Sequence, residues 1–115
     1  MGNAANQCPD GCFPPFKGAP NGNPGADAMV AVVAHELVET VSDPWLDAWY
    51  FDDEYENENA DMCAWTYGAT TLTSAGEHSN ARLGTRDFLL CQVTGQQSGR
   101  WNSYGAPLCE GWGLP

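Results

Sequence analysis

Basic residues are scarce in this 115-residue chain: Lys and Arg number 4 against 15 Asp and Glu, for a formal net charge of -11. A groove that binds nucleic acid must neutralise phosphates with a lining of cations. Lys17, Arg82, Arg86 and Arg100 are too few and too scattered to make one, so neither nucleic acid nor an anionic membrane surface is an expected partner. Long apolar runs are missing as well. The longest, Ala28 to Ala34, falls far short of the ~20 residues of a membrane-spanning helix. The first residues, Met1 to Gln7, have neither a basic stretch nor an apolar core, so no secretory leader is visible; it has been removed, or the chain is a fragment. There is no Gly-x-Ser-x-Gly elbow, no phosphate-cradling glycine loop with its lysine, and no pair of Cys-x-x-Cys elements for a four-thiolate zinc site.

What remains is enough to fold. Hydrophobic residues make up 43% and aromatics 11% of the chain, a content that fills one core and leaves no room for a second. Five Cys beside 13 Gly and 8 Pro is the usage of a small, disulfide-braced extracellular domain. Because five is odd, one sulfur is left over from intramolecular pairs, and Cys91, in the apolar run Phe88 to Val93, reads as a buried thiol. We read residues 1–115 as a single α+β domain in which one long buried helix packs on a small antiparallel sheet.

Residues 1–25 form a Pro/Gly-rich arm, which Cys8 and Cys12 are placed to staple. A helix is predicted over 24–42: Asn23 caps it, Pro24 takes the first turn, Asp27 suits the helix dipole, and Asp43-Pro44 stops it. At 100° per residue from His35, the stripe Val30, Val33, Ala34, Leu37 and Val41 spans about 160° to 260° and is the expected core face. Other faces are nearly as apolar, which is why the helix is expected to be buried. Residues 43–61 form an acidic loop with eight carboxylates among Trp45, Trp49, Tyr50, Phe51 and Tyr55, a mixture expected to fold back on the core. Short strands are predicted at Met62 to Tyr67 and Asp87 to Val93 within the loop-rich remainder, 62–115.

His35-Glu36-Leu37-Val38-Glu39 sets an imidazole and a carboxylate four residues apart on one helix face. This is the spacing by which a zincin helix grips a metal, with the residue after the first His serving as general base on bound water; here Glu39 replaces the second His. Zinc suits such a set, and Mn or Ca accepts carboxylate-rich variants of it. A buried carboxylate needs a partner, and a chain so poor in Lys and Arg supplies few. A third ligand is expected from the loop that follows, Glu58 or Asp61 first and Asp43 second. Asp52, Asp53, Glu54 and Glu56 read as solvated, with a loop calcium site as the alternative, and His78 reads as exposed.

Taken in order, Gln7-Cys8-Pro9 with Cys12, Ala19-Pro20-Asn21-Gly22, Gly25-Ala26-Asp27-Ala28-Met29-Val30, the His35 to Glu39 helix motif, Asp43-Pro44 and Glu58-Asn59-Ala60-Asp61-Met62-Cys63 resemble the EXORDIUM / phosphate-induced protein 1 family. The likeness runs from about Gln7 to Cys109. It implies secretion to the plant cell wall or apoplast, or the equivalent elsewhere, with roles in growth and cell expansion; a peptide or cell-wall component is our expected partner. Full members also carry an N-terminal half without a counterpart here, which points to a fragment or reduced form. Carried onto these positions, the resemblance marks His35, Glu39, Glu58 and Asp61 as a metal shell and Glu36 as the base; the zincin spacing, not the family, adds the expectation of a zincin-like, peptidase-like hydrolase. The resemblance also pairs Cys8 with Cys12 and Cys63 with Cys109. The alternative is a non-catalytic cell-wall or growth-signalling module with a structural metal or none.

Overall fold

A computed structural model describes residues 3–12, 18–45, 58–94 and 109–110. Two helices come first. The short α1, Ala4–Gln7, is capped by the Asn3 side chain, and the long α2 runs Pro24–Ser42. Asn23 Oδ1 accepts from the Ala26 amide at 3.2 Å, Pro24 needs no donor in the first turn, and the Asp43 amide closes the far end on the Glu39 carbonyl at 2.7 Å. The helix bounds are those read from the sequence.

Among the described residues, a turn of 3-10 helix comes next at Asp61–Cys63, and then six short strands: β1 Thr71–Leu72, β2 His78–Ser79, β3 Ala81–Leu83, β4 Arg86–Phe88, β5 Val93–Thr94 and β6 Cys109–Glu110. They pair antiparallel as β1 with β2, β3 with β4 and β5 with β6, so the sheet expected as one unit is three separate ladders. Two further expectations need correction. Met62 to Tyr67 is not a strand, because the amides of Cys63, Ala64 and Thr66 each bond a carbonyl three residues back, which closes tight turns in place of a ladder. Of Asp87 to Val93 only the ends are strand. In between, Leu90 spends its backbone on a side chain: its amide donates to Asn80 Oδ1 at 2.9 Å, and Asn80 Nδ2 donates to the carbonyls of Leu90 and Tyr67.

α2 is buried on one side only, and the expected core stripe is met in part: Val30 and Ala34 pack against the core, but the rest of the stripe does not. Val33, Leu37 and Val41 are 50%, 57% and 72% exposed, whereas Gly25, Asp27, Ala28, Ala31 and Glu39 are buried. Size decides this. The small residues form the flat face against which α1 and the β3–β4 hairpin can close, and a Cβ at Gly25 would collide with the Asn3 side chain. The core cluster is Ala31, Ala81 and Leu90, flanked by Val30, Ala34 and Phe88. Asp27, inside this face, accepts from both the amide and the side chain of Asn21, and Asn21 Nδ2 also reaches the Asp87 carbonyl at 2.7 Å. One asparagine thus ties arm, helix and hairpin together.

Cys8 is bridged to Cys12 and Cys63 to Cys109, while Cys91 retains its thiol and is half-buried rather than buried as expected. The second bridge fastens the 3-10 turn to β6 and so fixes the segment that carries Asp61. Trp45, at the start of the acidic loop expected to fold back on the core, is instead 82% exposed; residues 46–57, with Trp49, Tyr50, Phe51, Tyr55, Asp52, Asp53, Glu54 and Glu56, lie outside the described residues. None of the described helices is long and apolar enough to cross a membrane.

Candidate functional site

The buried face of α2 ends in charge. His35 Nε2 stands 3.1 Å from Glu39 Oε1 one turn on and 3.2 Å from Asp61 Oδ1 across the chain. One ligating atom from each of the three residues lies within 4.8 Å of the others. The turn is held to the helix by the Asp61 amide, which donates to Glu39 Oε1 at 3.2 Å, and Asp61 Oδ2 in turn accepts from the Glu58 amide at 3.4 Å. The sequence spacing aligned His35 with Glu39. The 3-10 turn and its disulfide bring Asp61 to them.

Glu39 is only 6% exposed, and burial pushes its carboxyl up to about 7. His35 opposes the rise, while Asp61, Glu58 and Glu36 add to it. A carboxylate in this position needs either a proton or a cation beside it. Glu58 is also raised, by burial first and then by Asp43, Asp61 and Glu36, so it belongs to the same negative field. Its side chain stays out of the close group of three, as does that of Asp43, buried at the end of α2. His78 is exposed as read and shares a hydrogen bond with Thr70 Oγ1 at 2.8 Å.

A groove of about 240 Å³ opens beside the three residues. α2 lines it with Ala31, Val32, His35 and Glu36, the turn segment with Asp61, Ala64 and Trp65, and Tyr67 and Cys91 complete it. The Tyr67 hydroxyl is pushed well above the usual phenol range by burial and by its contact with Cys91. Glu36 is exposed in this lining, in reach of solvent entering the groove.

Trp65 is the residue the sequence reading passed over. Cys63 to Thr66 is a type II turn: Ala64 has φ -53° and ψ 136°, Trp65 has φ 64°, and the Thr66 amide donates to the Cys63 carbonyl at 3.1 Å. Glycine is the usual occupant of the third position, and a bulky side chain there costs about 1–2 kcal/mol. Nothing in Cys-Ala-Trp-Thr announces such a turn. Trp65 is the one positive-φ residue other than glycine among the described residues, and it is 43% exposed.

A family model described as the phosphate-induced protein 1 conserved region matches residues 1–81. The chain is 37% identical over 84 residues to Protein EXORDIUM-like 5 of Arabidopsis thaliana, a match that covers 60% of this chain and 23% of that protein. Protein EXORDIUM-like 3 of the same plant is 37% identical over 81 residues, covering 59% of this chain and 24% of the relative. The match therefore spans about a quarter of the length of these curated relatives. No solved structure matches significantly.

Proposed function

Because the chain belongs to the phosphate-induced protein 1 family, we propose that it acts as a secreted module in which His35, Glu39 and Asp61 hold one divalent cation and Glu36 serves as general base for hydrolysis of a peptide bond. The observation that carries this reading is the convergence of the three donors. Ligands bound to zinc at about 2.1 Å in a tetrahedron stand roughly 3.4 Å apart, close to the 3.1 and 3.2 Å that separate His35 from the two carboxylates. Zinc is the ion of choice for one imidazole and two carboxylates. Manganese is acceptable, and calcium would require more oxygens than the three residues offer.

The chemistry the cation would supply is a water made acidic near neutral pH. The protein's own part is separable from it. Glu39, buried behind His35, would neutralise the ion and fix the imidazole. Asp61 would close the set from the turn, and Glu36, on the groove wall, would take the proton from water. Metal analysis of protein purified without chelator tests the site, with bound zinc expected in the wild type and lost in Glu39→Ala. Glu36→Gln is expected to keep the metal and to lose cleavage of a mixed peptide library by about 100-fold or more; unchanged cleavage would exclude Glu36 as base.

One observation favours a second reading, the non-catalytic cell-wall or growth-signalling module. The same short distances suit plain hydrogen bonds, and the Asp61 amide already fastens the turn to Glu39. In that reading a structural ion, or none, stabilises the turn, and a cell-wall component is the partner. A structural site is closed by protein ligands, whereas a catalytic one keeps an open position. Zinc-loaded protein that cleaves no peptide yet melts lower in chelator would select it.

A further inference from the structure

We propose that Trp65, with the carboxylates Glu36 and Asp61 lining the same groove, forms a subsite for a basic side chain of a peptide, arginine above all. Trp65 occupies a turn position that favours glycine and leaves a large aromatic surface in water. The turn position is a cost to the fold, and it is explained together with the exposed surface if the indole is presented for a ligand. The place is a groove of about 240 Å³, room for one long side chain, with Ala31, Val32 and Ala64 in its lining to receive an aliphatic stem.

Charge selects the occupant. Glu36 and Asp61 face the groove, and no Lys or Arg among the described residues lines it. Arg82 and Arg86, the cations among those residues, both lie on the β3–β4 hairpin. The chain as a whole carries -11, which draws cationic peptides and repels acidic ones. A guanidinium stacks on an indole face and is attracted by the field of nearby carboxylates. It needs no direct bond to Glu36, which therefore stays available as a base. The inference deepens the peptide reading and rests on it for cleavage alone, since binding is measurable without metal.

The test uses the full chain, nitrogen-15 labelled and stripped of metal, with the Trp65 indole resonance assigned through Trp65→Phe. N-acetyl-arginine amide is expected to shift that resonance saturably, about three- to tenfold more tightly than N-acetyl-leucine amide, with N-acetyl-glutamate amide inert. Trp65→Gly, which suits the turn, is expected to abolish the calorimetric response to the arginine amide while its far-ultraviolet circular dichroism stays that of the wild type. An equal response to the leucine amide, or a Trp65→Gly variant that still binds the arginine amide, would overturn the subsite. Zinc uptake by the wild type is measured apart. Its absence would sink the metal reading and leave the subsite standing, whereas uptake without a preference for arginine would sink the subsite alone.

Discussion

On one face of α2, Ala28, Ala31 and Glu39 are buried with His35 between them; on the other, Val33, Leu37 and Val41 stand in water. The face with the carboxylate is inside and the branched aliphatic face is outside, the reverse of the usual distribution. What separates them is not polarity but fit. Small side chains let α1 and the β3–β4 hairpin approach, and once that face is closed the 3-10 turn covers its C-terminal end. Glu39 is then enclosed, with His35 and the Asp61 amide as its partners.

The largest expected difference between the faces is in metal uptake. Glu39→Ala should weaken zinc binding by about 100-fold or more, given that even outer partners of a ligand are worth 10–100-fold. Leu37→Ala, two residues away on the open face, should leave binding unchanged by calorimetry. Next comes packing. Ala31→Leu should cost about 1–3 kcal/mol in urea unfolding, because the small-residue face has no space for the added methylenes. Leu37→Ser should stay within about 0.5 kcal/mol. A Leu37→Ser variant that unfolds as readily as Ala31→Leu would show that both faces are packed.

A smaller effect is spread over pH. The Glu39 carboxyl titrates at about 7 in the fold against an ordinary 4.5. Between those values the native state keeps a proton that the unfolded chain has released, so stability contributed by this group falls as pH rises from about 4.5 to about 7. Chemical denaturation of metal-stripped protein should record that fall, and Glu39→Gln should flatten it. A cation at the site would take the proton's place and restore stability toward pH 8.

How far the sequence discloses all this differs by element. Asn23, Pro24 and Asp43-Pro44 mark the helix ends because capping and proline sterics act within a few residues, and His35 and Glu39 share a face by helix periodicity alone. The orientation of the helix is not legible in the same way, since apolar residues surround it and only the small stripe of Gly25, Ala28 and Ala31 hints at the closed side. Asp61 was readable as a candidate, but its selection over Glu58 depends on the turn at Asp61–Cys63, which comes from contacts distant in sequence. Met62 to Tyr67 misleads for a related reason. Its aromatic and β-branched residues favour a strand, whereas the bridge to Cys109 and the bonds to the Cys63 carbonyl hold it in turns. The Asn80 link to Leu90 is likewise invisible to propensity, because its partners lie ten or more residues away.

The most direct test of the account is calorimetric titration of zinc into metal-stripped protein near pH 6, repeated in buffers of different ionisation enthalpy. One zinc per chain is expected, with release of the proton that Glu39 holds below about 7, and both uptake and release should vanish in Glu39→Ala. No uptake by the wild type, or uptake that Glu39→Ala leaves intact, would contradict it.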